Sequence, residues 1–203
     1  MLLPVPMAQD QAFRALAEIR DVIDRSTRYS TFSALSGFIA GGVALAGSGL
    51  CGLSPEFVGA RPADGRMEFV AVWGAVFVIA ALSLVLLTAM KARQRGEPVW
   101  TPIARTAFAS VLGPGLSGLA GSMALVLGGH FALLPGLWLT FYGCGLWAVS
   151  FFAPLFLRVL GIVFMAFGIA AWLLPDQAAL WLGLGFGGLH LVFGVIVLTR
   201  YRK

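Results

Sequence analysis

Residues 157–200 read LRVLGIVFMAFGIAAWLLPDQAALWLGLGFGGLHLVFGVIVLTR. Two apolar runs, each about twenty residues long and so able to cross a hydrocarbon core of roughly 30 Å, flank the polar turn Pro175-Asp176-Gln177. Arg158 and Arg200 close the two far ends. The rest of the chain repeats looser versions of this unit. The fold expected is therefore all-α and polytopic: six transmembrane helices in three hairpins, preceded by an N-terminal amphipathic helix on the cytoplasmic side.

Composition supports that reading. The 203 residues are 59% hydrophobic and only 11% charged, with a mean hydropathy of +0.90. A soluble domain carries roughly 25% charged residues, so most of this chain is not solvated surface. Six spans leave no room for a separate soluble enzyme domain. The net charge of +5 does not indicate nucleic acid, because the basic residues stand at span ends rather than on one basic face. They read as topology signals and as contacts to anionic lipid.

Six spans are expected at about 30–52, 68–90, 106–129, 132–154, 157–174 and 178–199, within a transmembrane domain covering 30–203. Residues 1–29 form the leading segment. From about Ala8 to Tyr29, Phe13, Leu16, Ile19, Val22 and Ile23 recur at helical spacing. The other face carries opposite charges four apart, among them Asp10 with Arg14, Arg20 with Asp24 and Asp21 with Arg25. Such a helix lies in the headgroup plane, or it docks a cytoplasmic partner or a second copy of the chain. No cleavable signal peptide is expected, because a charged segment precedes the first apolar run; Met7 is an alternative start.

The positive-inside bias sets the orientation. With the N-terminus inside, twelve of the 14 basic residues fall in cytoplasmic segments, and only Arg61 and Arg66 fall outside. Both termini are then expected to be cytoplasmic. Trp138, Trp172 and Trp181 are expected in an outer aromatic belt, and Tyr29 and Tyr201 in an inner one.

Small residues recur at four-residue spacing: Ser33, Gly37 and Gly41 in the first span; Gly113, Ser117 and Gly121 in the third; Gly136, Thr140, Cys144 and Ala148 in the fourth; Gly183 and Gly187 in the last. Lipid gives helices no hydrophobic drive to associate, so such faces let backbones approach closely. An internal repeat is also visible, LWLTFYGCGLW (137–147) against LWLGLGFGGLH (180–190), each preceded by Leu-Leu-Pro. Hairpin 3–4 is thus expected to resemble hairpin 5–6.

Ionisable residues within spans mark function by default, and here no Asp, Glu, Lys or Arg sits mid-span. What remains at mid-depth is His190, Cys144 and the helix break at Pro114. Pro114 frees a helical carbonyl, which is tolerated in a membrane only against protein or a wet cavity. A small polar midplane site bounded by spans 3, 4 and 6 is one expectation; the other is a neutral histidine bonding a freed carbonyl as interhelical glue. Cys51 and Cys144 differ in depth, which disfavours a disulfide, and neither has metal-motif spacing. Haem would need two histidines at matched depth, and His130 lies at a span end. No catalytic residue, cofactor or metal is expected.

Three resemblances accompany these readings. IRDVIDRSTR (19–28) running into FSALSG (32–37), with GFGGLHLVFG (185–194) ending in Arg200-Tyr-Arg, resembles a family of uncharacterised six-span bacterial inner-membrane proteins. That implies the same topology and no assigned reaction. The glycine and proline spacing of the last hairpin is similar to the repeat of HdeD-type acid-resistance membrane proteins. His190-Leu-Val-Phe-Gly194 resembles the His-x-x-x-Gly of rhomboid proteases, but their Gly-x-Ser-Gly is replaced by Gly143-Cys144-Gly145, with no oxyanion donor to name. The function expected is non-catalytic, in envelope homeostasis, signalling or assembly. The partners expected are the lipid bilayer and, through residues 8–29, a cytoplasmic protein or a second copy. A small carrier or channel-like protein is the alternative, and an intramembrane hydrolase a third.

Overall fold

In a computed structural model, residues 13–14, 33–53, 63–96 and 98–200 are described. Among them all regular structure is helical, and six helices are long and apolar enough to cross a membrane. They are α1 (Ala34–Leu53), α2 (Ala63–Gln94), α3 (Pro102–Leu127), α4 (Leu134–Val149), α5 (Phe156–Leu173) and α6 (residues 178–200). The last has three segments: α-helical Ala178–Leu182, π-helical Gly183–Leu189 and α-helical His190–Arg200. The fold is that of an all-α, multi-pass membrane protein. The amphipathic helix expected over residues 8–29 lies outside the described residues, apart from Phe13 and Arg14, which are helical and exposed.

Helix ends follow local chemistry that the apolar runs do not report. α3 begins four residues before the expected Thr106, because Thr101 caps it by accepting from the Ala104 N–H at 3.1 Å and Pro102 occupies the first turn. Proline there removes only an N–H that has no helical partner. α3 ends as a Schellman turn: Gly129 takes φ +75°, and the His130 N–H reaches the Leu125 carbonyl at 2.8 Å. α4 stops at Val149 rather than near 154, since Pro154 cannot continue a helix and restricts the residue before it. α2 extends to 32 residues, well past a 30 Å core, and carries Lys91 and Arg93 in its final turn.

The two most extensive helix contacts in the bundle are α4 with α5 and α1 with α6. Gly136 and Gly143 face Gly161 and Gly168, a seven-residue spacing on both helices. A Cβ on Gly143 would lie 2.6 Å from the Gly161 carbonyl, and one on Gly168 would lie 2.2 Å from Thr140 Oγ1 and 2.9 Å from the Gly136 carbonyl. A second close approach joins α1 to α6. Gly37 meets the His190 carbonyl and the Gly194 N–H, each 3.0 Å from its would-be Cβ, and Gly41 meets the Gly187 carbonyl at 2.9 Å. Ser48 Oγ, further along α1, donates to the Ala179 carbonyl.

This pairing differs from three equivalent hairpins. α3 packs extensively on α4, whereas α5 and α6 touch far less, because α6 is committed to α1. The two repeat copies both start with a 3-10 turn, Phe131–Leu133 and Pro175–Gln177, and then diverge at the π segment. The small face expected on the third span is also rearranged. Gly118 and Gly121 pack on Phe141 and Leu137 of α4, while a Cβ on Gly113 would meet nothing. α2 and α3 stand at the periphery, each with only 6% of its apolar window buried against 33% or more for the other four. Their exposed Phe77, Val85, Leu116 and Leu119 face the bilayer's acyl chains.

Gly168→Ala is expected to lower stability by about 1–3 kcal/mol, the usual effect of overpacking. Gly74→Ala, where nothing lies within 4 Å, is expected to be neutral or stabilising by up to about 1 kcal/mol. Unfolding of the two variants in the same detergent measures the difference.

Candidate functional site

Four helices send aromatic rings into one cluster running from the end of the bundle that carries the 128–133 and 174–177 turns down to mid-depth. Phe69 and Trp73 come from α2, Trp138 and Tyr142 from α4, Phe164 and Phe167 from α5, and Trp181 and Phe186 from α6. Phe69 stacks on Trp138 at 5.7 Å with 5° between planes, and Trp73 meets Phe186 at 6.0 Å. Tyr142 makes edge contacts with Phe164 at 4.8 Å and Phe186 at 5.2 Å. Two of the three tryptophans expected in an outer belt, Trp138 and Trp181, are therefore packed on the core. Trp172 is the exposed one, its indole N–H donating to the Leu133 carbonyl at 3.0 Å.

At the deep end of the cluster the Tyr142 hydroxyl and His190 Nε2 lie 2.7 Å apart. The imidazole sits among Tyr142, Phe164 and Phe186, with centroid distances of 5.4, 5.7 and 6.2 Å. Its buried Nδ1 makes no well-formed hydrogen bond; the Phe186 backbone, one turn earlier, is a weaker electrostatic partner. With Tyr142 donating, the imidazole proton sits on Nδ1. The pair is then neutral, as an apolar surrounding demands of groups that lack a counter-charge.

The π segment places His190 there. A π turn holds an extra residue per turn and is common at functional sites. Gly183, Gly185 and Gly187 are all buried within it. A Cβ on Gly187 would lie 2.5 Å from Leu45 of α1, and one on Gly185 2.4 Å from Leu139 of α4. These glycines let α6 wedge between α1 and α4 while Phe186 and His190 turn together toward Tyr142.

Of the three residues expected at the midplane, His190 is thus joined to Tyr142. The Cys144 thiol turns to Met165 Sδ at 3.7 Å, and no hydrogen bond links it to His190. No cysteine–histidine dyad of the kind an intramembrane hydrolase would use is formed. Pro114 lies in α3, which packs on α4, and the flanking Gly113 and Gly115 open outward. The freed carbonyl expected as the histidine's partner is not its partner; the Tyr142 hydroxyl is. Tyr142 was legible in principle. It is the one tyrosine of three that falls within a span, and a phenol at membrane depth must find a partner.

Other polar side chains at depth are paired only in part: Thr140 Oγ1 and the Trp73 and Trp181 indole N–H groups are buried and make no well-formed hydrogen bond. Trp138 Nε1 donates to Ser122 Oγ at 2.9 Å, and Ser122 Oγ donates to the Gly118 carbonyl at 2.7 Å. A wholly apolar groove of about 370 Å³ lies near Trp172, between Gly121 and Ala124 of α3 and Leu137 of α4. Among the described residues, no group of three or more His, Cys, Asp or Glu stands together as a metal would require.

Fold and site together define a six-span membrane protein with an aromatic interior closed by one histidine–tyrosine pair. No family model, curated protein or solved structure matches the chain.

Tyr142→Phe should cost about 1 kcal/mol, the scale of an interhelical hydrogen bond in a membrane protein. The same change made on top of His190→Leu should cost distinctly less, because the acceptor is already gone. A double-mutant cycle by denaturant unfolding in micelles checks it; full additivity would mean that the 2.7 Å contact carries no energy.

Proposed function

We propose that the protein is a non-catalytic integral protein of the bacterial inner membrane, with both termini cytoplasmic, acting in envelope homeostasis, signalling or assembly. One observation carries this reading. Two polar pairs at membrane depth are closed inside packed aromatics, Tyr142 with His190 and Trp138 with Ser122, while the broad apolar faces of α2 and α3 look outward. Such a molecule works through its surfaces, toward lipid, a second copy or a cytoplasmic partner of residues 8–29. The resemblance of residues 19–37 and 185–194 to six-span inner-membrane proteins supports the same class. So does the crowding of twelve basic residues at one side, which supports the orientation.

A carrier is the second reading, and a specific feature favours it: the buried His190 Nδ1 lacks a hydrogen bond beside a π segment, the kind of backbone that marks ligand sites.

Native mass spectrometry of the protein released from nanodiscs, wild type beside His190→Ala, separates the two. The expected spectrum shows the same bound species in both. A small polar molecule present in the wild type and lost in the variant would replace the non-catalytic reading by the carrier. Orientation is checked independently: a reporter active only outside the cytoplasm should give signal when inserted between residues 54 and 62 and stay silent when fused after Lys203. The opposite pattern would reverse the topology.

A further inference from the structure

We infer that Arg158, with Ser150 and the rings of Trp147 and Phe151, forms a binding site for the phosphate of an anionic phospholipid at the basic end of the bundle. The inference rests on the membrane assignment and is independent of any role for His190.

The site is built from the turn between α4 and α5. Ser150 is 4% exposed; its hydroxyl donates to the Trp147 carbonyl at 2.6 Å and accepts from Arg158 Nε at 3.3 Å. That contact orients the guanidinium, whose central carbon lies 4.8 Å from the Phe151 ring centre and 5.5 Å from that of Trp147. Both aromatic contacts fall within the range in which a cation is attracted to a ring face. The two helices approach closely beneath the site, the Trp147 backbone N lying 2.9 Å from where a Gly161 Cβ would stand. The Arg158 head is therefore held in place, with only Nε occupied.

The charge itself is left without balance. No carboxylate among the described residues pairs with Arg158, and its Nη hydrogens meet no protein acceptor among them. The residue also sits in the first turn of α5, where the helix dipole disfavours a cation and favours an anion. Two free parallel N–H groups on a planar fork match the oxygens of a phosphate.

The surroundings select a lipid over free phosphate. Leu155 just before α5, and Val159 and Ile162 leading along it toward mid-depth, are each exposed, at 59%, 58% and 47%. They form an apolar track on which an acyl chain can lie while its headgroup meets the guanidinium. The site lies at the start of α5, next to the connection that follows α4, and span ends are where headgroups are met.

The test uses the full chain in nanodiscs of mixed phosphatidylcholine and phosphatidylglycerol, with lipid retained on release counted by native mass spectrometry. The wild type should keep phosphatidylglycerol preferentially. Arg158→Gln should lower the retained anionic lipid about fivefold, since one interfacial cation contributes about 1 kcal/mol. Arg158→Lys should restore it only in part, because an ammonium keeps the charge but not the fork. Arg93→Gln, which removes a charge from the last turn of α2, should lower retention distinctly less. Equal losses in Arg158→Gln and Arg93→Gln would overturn the site in favour of net charge alone. Undiminished retention in Arg158→Gln would overturn it outright, and displacement of the lipid by added inorganic phosphate would overturn the choice of a lipid. Ser150→Ala, which keeps the charge and releases Nε, covers the case in which Arg158→Gln does not fold. A smaller but measurable drop supports the site, and no drop counts against it.

Discussion

Backbone contact between α4 and α5 organises this molecule. In water, a helix pair is held by the release of solvent from apolar side chains. In a bilayer that drive is absent, because acyl chains solvate leucine as well as another helix does. Gly136, Gly143, Gly161 and Gly168 solve the problem by removing side chains from the seam, so that carbonyls and N–H groups of one helix reach the other directly. The seam sets where Phe164 stands relative to Tyr142, and thereby the deep wall of the aromatic cluster. A parallel arrangement, with Gly37 and Gly41 against Gly187 and Gly194, sets α6 on α1. His190 takes its position from both seams at once.

The interior that results is aromatic and neutral. An ionised group at this depth would need a counter-charge, and no Asp, Glu, Lys or Arg lies mid-span. A phenol and an imidazole instead satisfy each other at 2.7 Å, and an indole finds a serine. Such pairs join one helix to another, α4 to α6 and α3 to α4, without introducing charge. The π segment is the exception to regularity in the bundle. Its glycines tolerate contact with α1 on one side and α4 on the other, which a regular helix of larger residues would not. Where so much of the interior is closed, the outward faces and the basic end become the surfaces through which the protein meets its environment.

Much of this was readable beforehand because membranes restrict the alternatives. Run length and the absence of mid-span charge specify six helices, since every backbone polar group must be bonded internally. The glycine faces of spans 1 and 6 were visible as four-residue spacing, and the structure uses them. Other features were not readable. Thr101 and Pro102 start α3 ahead of its apolar run through a cap, a local signal that hydropathy passes over. Span 4 meets α5 through Gly136, Thr140 and the Cys144 thiol of the expected face, but also through Gly143, which lies off that face and meets Gly161, because the closest carbonyl approach chooses the seam. Gly113 and Ser117 share a spacing with packed faces elsewhere yet remain open, since spacing does not say which helix will arrive.

The sequence by itself determined the class of fold, the number of spans and the crowding of positive charge at one side, all consequences of composition meeting a bilayer. Only the tertiary structure decided which residues meet. It paired α6 with α1 rather than α5, gave His190 to Tyr142 rather than to Pro114 or Cys144, and drew Trp138 and Trp181 into the core. The physical reason is that transmembrane helices of similar apolarity are nearly interchangeable to lipid. Their partners are chosen by steric fit and by a few hydrogen bonds between residues far apart in the chain, which no local pattern encodes.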